Sequence, residues 1–208
     1  MIALLDNCHD LEVCGTELRC DVGQLLTPLT RRLLRDPSKP WAVDNGAFAS
    51  FDAQGFMTLL ERRRDDRATC VFVAVPDVVG SARRTLEVFE FWKGKLDGWP
   101  LALVCQDGQE HLPIPWGDIT AVFIGGTTAW KMSGGAGHIV KAAKAMGKWV
   151  HVGRVNSPQR WEYFEELGAD SADGTGIARY THMRRAIGDR GRQSVLALAK
   201  HEHDEDVA

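Results

Sequence analysis

The segment Val71-Phe72-Val73-Ala74-Val75 is a short apolar run that ends in Pro76-Asp77, and residues 81–96 after it carry Leu, Val and Phe at helical spacing. The same succession of apolar run, polar turn and helical segment recurs along the chain. Further apolar runs occupy residues 2–5, 41–43, 101–104, 121–124 and 149–152, and further predicted helices occupy residues 55–64, 136–146 and 157–167. This alternation with short connections predicts an α/β protein with a parallel sheet, either a barrel or an open doubly wound sheet.

Length and composition are those of one globular domain. The chain has 208 residues, of which 44% are hydrophobic and 25% charged, and this is enough to bury one core. We expect one domain over residues 1–195 and a flexible acidic tail at 196–208. The first residues lack the basic leader of a secretory signal, and no apolar run approaches the roughly 20 residues of a membrane span. The sequence therefore predicts a cytoplasmic protein without a membrane partner.

The charge distribution is uneven. A formal charge of -3 argues against binding nucleic acid through bulk charge, but the arginines are clustered. The clusters are Arg31, Arg32 and Arg35; Arg62, Arg63 and Arg64; and Arg179, Arg184, Arg185, Arg190 and Arg192. Each cluster is either a solvated helix face or a basic patch, and we expect Arg179, Arg184 and Arg185 to form a rim that binds phosphate.

The cysteines do not indicate a metal site or a disulfide framework. There are five of them, an odd number, and none forms a C-x-x-C pair. The chain also lacks a P-loop and the glycine spacing of a dinucleotide-binding turn. We therefore predict no metal and no cofactor.

Polar residues follow several of the apolar runs. In a parallel α/β fold these positions lie at the carboxyl ends of the strands, where active sites form. The segments are Asp44-Asn45-Gly46-Ala47-Phe48, Pro76-Asp77, Gln106-Asp107-Gly108, Gly125-Gly126 and Asp170-Ser171-Ala172-Asp173. Together they predict one site with carboxylates for nucleophilic and acid–base chemistry and an amide for reading a flat polar ligand. Taken singly, Asp77 could cap the following helix, the glycines could form a tight turn, and Asp170 or Asp173 could be turn residues.

In this order the segments resemble the tRNA-guanine transglycosylase superfamily, and particularly the short deazaguanine DNA transglycosylases of phages and bacterial modification islands. Asp44-Asn45-Gly46-Ala47-Phe48 is similar to the Asp-Ser-Gly-Gly-Phe segment of that family, with Asn for Ser and Ala for the second Gly. Gly168-Ala169-Asp170-Ser171-Ala172-Asp173 is similar to its Gly-Val-Asp-Met-Phe-Asp segment. The resemblance covers residues 40–185 and implies a TIM-barrel-like (β/α)8 fold, complete or slightly truncated.

The resemblance also implies roles for individual residues. Asp173 corresponds to the nucleophile and Asp44 to the general acid and base. The base-binding positions are Asp77, Gln106, Gly125 and Gly126. Further substrate contacts are expected from Phe48 and Arg179. Two more candidates come from their positions in the sequence: Trp130, which follows the glycine pair, is either a stacking surface for a base or a core residue, and Arg154 is either a phosphate or ribose contact or a surface arginine. His151, at the end of the run 149–152, is either a phosphate or ribose contact or a packed core histidine.

One departure from the family bears on the substrate. The tRNA enzymes carry a cysteine-rich zinc site after the nucleophile, whereas no cysteine follows Cys105 here. We therefore expect exchange of guanine in DNA, rather than tRNA, for a free 7-deazaguanine of the preQ0 kind. A tRNA-guanine transglycosylase, a nucleoside glycosidase and a non-catalytic base-binding subunit are the alternatives, and a homodimer is left open.

Overall fold

The computed structural model describes residues 1–30, 36 and 38–190, and within them eight parallel strands close into a barrel. The strands are β1 (Ile2–Leu5), β2 (Val22–Leu26), β3 (Trp41–Val43), β4 (Cys70–Ala74), β5 (Leu101–Cys105), β6 (Ala121–Ile124), β7 (Trp149–Val152) and β8 (Ser171–Ala172). Each strand pairs with its neighbour in sequence, and β1 pairs with β8 in the register Ala3 to Ala172. The chain is thus a (β/α)8 barrel of the TIM type, which confirms the predicted fold class and excludes the open sheet.

Helices follow most of the strands. They are α1 (Leu11–Leu18), α2 (Ala53–Arg62), α3 (Ala82–Lys93), α4 (Thr128–Lys131), α5 (Gly134–Ala145), α6 (Pro158–Glu166), α7 (Thr175–Arg179) and α8 (Thr181–Gly188). Side chains of Asp10, Asp52, Ser81, Thr127, Ser133 and Ser157 accept backbone N–H groups at the amino ends of α1 to α6. Such caps satisfy donors that the helix itself leaves unpaired. Because Ser81 caps α3, Asp77 is not needed there.

The interior of the barrel follows from the two-residue period of its strands. Side chains that point inward form one apolar cluster, and the alternate residues pack against the helices. The inward cluster comprises Leu4, Leu25, Ala42, Phe72, Ala74, Ala102, Val104, Ala121 and Phe123. The rings of Phe72 and Phe123 meet edge to face, with their centroids 6.1 Å apart. These side chains therefore fill the interior of the barrel at the level of the strands.

Two strands were not predicted from sequence. In β2 (Val22-Gly23-Gln24-Leu25-Leu26), Gly23 and Gln24 interrupt the apolar residues, and β8 has only two residues. Gly23 is required by packing, since a Cβ there would lie 2.8 Å from Leu4 Cδ2. Such close approach favours glycine over the β-branched residues that mark a strand in sequence.

The arginine clusters do not all lie where they were predicted. Arg184 is buried, and it donates to Glu17 at 2.5 Å and to the Ile177 carbonyl at 3.0 Å. It therefore ties α8 to α1 instead of forming a phosphate-binding rim. Residues 31–35 and the tail 196–208 lie outside the described residues. No helix within the described ranges is long and apolar enough to cross a membrane.

Candidate active site

A cavity of about 260 Å³ opens at the carboxyl ends of the strands. Its polar walls arise from the strand alternation, because a residue two positions after an inward core residue also points inward. The pairs are Leu4 and Asp6, Leu25 and Thr27, Ala42 and Asp44, Val104 and Gln106, Phe123 and Gly125, and Ser171 and Asp173. Eight predicted site residues line the cavity: Asp44, Phe48, Asp77, Gln106, Gly125, Arg154, Asp173 and Arg179. Gly126 and Trp130 do not line it.

Asp77 sits in a cradle of two amides. Asn45 Nδ2 donates to Oδ1 at 2.9 Å, and Gln106 Nε2 donates to Oδ2 at 2.7 Å. Burial raises the pKa of Asp77, although both amide donors act in the opposite direction. The carboxylate keeps further lone pairs, so it can accept from the donor edge of a base.

Gln106 connects three loops of the barrel. While its Nε2 binds Asp77, its Oε1 accepts the N–H groups of Gly80 at 2.9 Å and Gly126 at 3.1 Å. The side chain is buried. One N–H of the amide is not used by Asp77 and can donate to a carbonyl in the cavity.

The glycine pair acts differently from the expectation. The Gly125 N–H donates to the Cys105 carbonyl at 3.0 Å, and the Gly126 N–H is held by Gln106, so neither points freely at a ligand. Gly125 instead makes room, because a Cβ there would lie 2.8 Å from Gln106 Nε2. Gly126 has a φ of 44°, in the left-handed region that favours glycine.

Trp130 lies behind the site and does not reach into it. Its indole is buried, donates to Glu110 Oε2 at 2.8 Å and packs under Gly126. Trp130 therefore supports the glycine loop from below, and no face of its ring is open for stacking on a base.

Asp44 is a buried carboxyl group whose pKa is far above its usual value. Burial, followed by the charge of Asp173, raises the pKa of Asp44 to about 7. The Gly46 N–H donates to its Oδ1 at 3.0 Å, which favours the charged form but does not offset the other two effects. A carboxyl group that titrates near neutral pH can both donate and accept a proton during a reaction.

Asp173 is held at both oxygens. The Arg154 backbone N–H donates to Oδ1 at 2.7 Å, and His151 Nε2 lies 3.3 Å from Oδ2. Arg154 has a φ of 61°, an uncommon conformation for a residue other than glycine, and this turn aims its N–H at the carboxylate. The Asp173 side chain is 13% exposed, so the oriented carboxylate still reaches the cavity.

Phe48 and Arg154 form one side of the cavity mouth. The Arg154 guanidinium carbon lies 4.2 Å from the centroid of the Phe48 ring, and its Nη2 donates to the Gly126 carbonyl. The Phe48 side chain is 67% exposed. An exposed aromatic ring and a cation thus stand together at the entrance.

Asp6 was not predicted as a site residue. Its Oδ1 accepts from Thr30 Oγ1 at 2.7 Å, and burial raises its pKa. The sequence did contain a signal for Asp6 as a site residue, because Asp6 follows the apolar run 2–5 just as Asp44 follows the run 41–43. It adds a fourth carboxyl group to the cavity that holds Asp44, Asp77 and Asp173.

The role of Gln106 can be tested against that of Gln109. Both side chains are buried, but among the described residues neither polar side-chain atom of Gln109 has a hydrogen-bond partner. Gln106→Leu is expected to lower the free energy of unfolding by about 1–3 kcal/mol, because Asp77 and two backbone N–H groups lose their partner. Gln109→Leu is expected to be neutral or stabilising. Urea unfolding measures both, and equal losses would refute the linking role of Gln106.

Comparison with known proteins supports the fold only. No protein-family model matches the chain, and no curated protein matches it. Among solved structures, the BexX/CysO complex of Amycolatopsis orientalis is similar, with 14% identity, coverage of 96% of this chain and 91% of that chain, and a TM-score of 0.51. Phosphoribosyl anthranilate isomerase from Thermus thermophilus has 16% identity over 93% of this chain and 99% of its own, with a TM-score of 0.45. The first similarity shows a shared barrel fold.

Proposed function

We propose that this protein is a transglycosylase that exchanges guanine in DNA for a free 7-deazaguanine through a covalent bond between Asp173 and the sugar. The observation that carries the proposal is the pairing of two unlike carboxyl groups in one cavity. Asp173 is oriented at both oxygens, and Asp44 beside it has a pKa of about 7. Carboxyl groups in such different environments divide the roles of nucleophile and acid.

In the first step the Asp173 carboxylate attacks C1′ of the target nucleotide. A bond forms between Asp173 and C1′ while the bond from C1′ to the base nitrogen breaks, and the electron pair leaves with the base. Protonated Asp44 gives its proton to the departing guanine, which leaves neutral. Asp44 is then a carboxylate.

In the second step the intermediate is resolved by the incoming base. Asp44 takes the proton from the ring nitrogen of the 7-deazaguanine, and that nitrogen attacks C1′ and displaces Asp173. Two inversions at C1′ give overall retention, as in retaining glycosidases. Both carboxyl groups return to their initial states, so the exchange needs no redox partner.

The amide cradle suits a guanine edge. Asp77 can accept from the ring N–H and the exocyclic amine, and the unused N–H of Gln106 can donate to the carbonyl. Guanine and 7-deazaguanine share this edge, so one cradle serves both the leaving and the entering base. The absence of a side chain at Gly125 leaves the space that the Gln106 amide occupies.

The cavity mouth suits a nucleotide turned out of its strand. Chemistry at C1′ beside a buried carboxylate requires the base to leave the stack. Phe48 can stack on a neighbouring base, and Arg154 and Arg179 can meet the backbone. These contacts suit either nucleic acid. We favour DNA because this chain has no cysteine after Cys105, where the tRNA enzymes carry their zinc site.

Base exchange is the direct test. The protein is incubated with duplex DNA or tRNA carrying labelled guanine, with and without 7-cyano-7-deazaguanine, and label release is followed. The proposal predicts that release from DNA continues beyond one guanine per protein molecule only when the base is added, because the covalent intermediate otherwise stays unresolved. Release from tRNA alone would identify a tRNA enzyme, release from DNA that leaves abasic sites without added base would identify a glycosidase, and no release would indicate a binding subunit.

A further inference from the structure

His151 occupies the layer of the barrel directly beneath the cavity. It lies on β7 and is completely buried, with its ring centroid 5.0 Å from that of Phe72 and 4.5 Å from that of Phe123. It does not line the cavity. It is therefore neither a phosphate nor a ribose contact, and any effect it has on a ligand must pass through another residue.

Both ring nitrogens of His151 have partners. Nδ1 lies 2.9 Å from Ser171 Oγ, and Nε2 lies 3.3 Å from Asp173 Oδ2. Ser171 is the residue paired with His151 across β7 and β8, and Asp173 is the next inward residue on the same strand path. Strand pairing therefore fixes the height of the imidazole relative to the carboxylate.

Ser171 has a second partner in Trp149. The Trp149 indole N–H donates to Ser171 Oγ at 2.8 Å, and an indole can only donate. The hydroxyl keeps its hydrogen and a second lone pair, so it can either donate to His151 Nδ1 or accept from it. The Asp173 carboxylate only accepts, so it favours the tautomer with the hydrogen on Nε2, whereas the opposite tautomer would turn a lone pair toward a carboxylate.

We propose that His151 is the positioning residue of Asp173, and that Ser171 and Trp149 complete the hydrogen bonds on the other side of the imidazole ring. The imidazole holds Oδ2 while the Arg154 N–H holds Oδ1, so rotation of the carboxylate is arrested and its free lone pairs stay directed into the cavity. Support of this kind determines whether a nucleophile meets its target at the required angle. The hydrogen bonds of His151 follow from the geometry alone, while their effect on the reaction rate rests on the proposed function.

The tautomer can be measured without any substrate. Nitrogen-15 NMR of imidazole-labelled protein distinguishes a protonated from an unprotonated ring nitrogen. We expect His151 to show a protonated Nε2 in the wild type and a mixture of tautomers in Asp173→Asn, whose amide can donate as well as accept. An unprotonated Nε2 in the wild type would overturn the proposal, and because no reaction is involved, this result stands whether or not exchange is found.

A pair of amide variants tests the effect on catalysis. In His151→Gln the side-chain amide can replace Nε2 and still donate to Asp173, whereas in His151→Asn the shorter amide reaches only the position of Nδ1. We expect His151→Asn to lower kcat about 100-fold with little change in KM, and His151→Gln to recover most of that loss. Equal activity of the two variants, or a loss confined to KM, would contradict the positioning role. If either variant fails to fold, kcat and KM of Ser171→Ala are compared with those of the wild type instead, because this variant keeps the imidazole of His151.

Discussion

Asp173→Asn is expected to lower the rate of base exchange by at least about 10⁴-fold, since an amide does not form the covalent bond to C1′. The substitution preserves size, and the new amide oxygen can still accept the Arg154 N–H that now binds Oδ1 at 2.7 Å. Folding should therefore be retained. Release of labelled guanine, together with thermal unfolding, measures the two effects separately.

Asp170→Asn is the matched control. Asp170 lies three residues earlier, where its side chain binds Lys144 at 2.6 Å and accepts the Val150 N–H at 2.8 Å, away from the cavity. The amide oxygen of the variant can still accept the Val150 N–H. Loss of the partly exposed ion pair with Lys144 lowers the free energy of unfolding by at most about 1 kcal/mol. We expect exchange to continue at the wild-type rate. Substantial activity in Asp173→Asn, or an equal loss in Asp170→Asn, would remove Asp173 from the mechanism.

Asp44→Asn is expected to stabilise the protein at pH 8 while it slows exchange by about 10²- to 10⁴-fold. The pKa of Asp44 is raised from 3.8 to about 7 in the folded state, so folding favours its protonated form. The stability that this provides is complete below about pH 4 and is lost as pH rises through about 7. An amide does not ionise, and the variant should therefore be more stable than wild type at pH 8 by about 2–4 kcal/mol.

Urea unfolding at pH 4 and pH 8 tests this prediction, with Asp118→Asn as control. Asp118 is exposed and pairs only with Lys93 among the described residues, at 2.9 Å, so its substitution should change stability by less than about 1 kcal/mol at either pH. The wild-type rate of guanine release should also fall as pH rises above about 7, because the acid form of Asp44 disappears. A stability difference between Asp44→Asn and wild type that does not vary with pH would show that Asp44 does not titrate in this range.

Much of the cavity could be predicted from the sequence because barrel strands have a two-residue period. Once an apolar run is recognised, the polar residue that follows it is placed at the carboxyl end of the barrel. Asp44 and Gln106 were found in this way, and Asp6 obeys the same rule, whereas Asp173 was selected from its neighbour Asp170 by the resemblance. Phe48, which was inferred from the resemblance, and Arg154, which was inferred from its place after the run 149–152, also line the cavity.

What the sequence could not supply depends on contacts between distant segments. Arg184 resembles its exposed neighbour Arg185 in sequence, and only the approach of Glu17 from α1 buries it. Trp130 adjoins the glycine loop, yet Glu110 draws its indole away from the cavity. The partners of His151 are likewise set by the pairing of β7 with β8, which no local pattern encodes.

The covalent intermediate provides the most direct test of the account. The protein is incubated with a guanine-containing DNA oligonucleotide in the absence of an incoming base, denatured, and analysed by gel and by mass spectrometry of its peptides. We predict a protein–DNA adduct on the peptide that contains Asp173, absent in Asp173→Asn and lost when 7-deazaguanine is added before denaturation. Guanine release without an adduct, or an adduct on any other residue, would contradict the central claim.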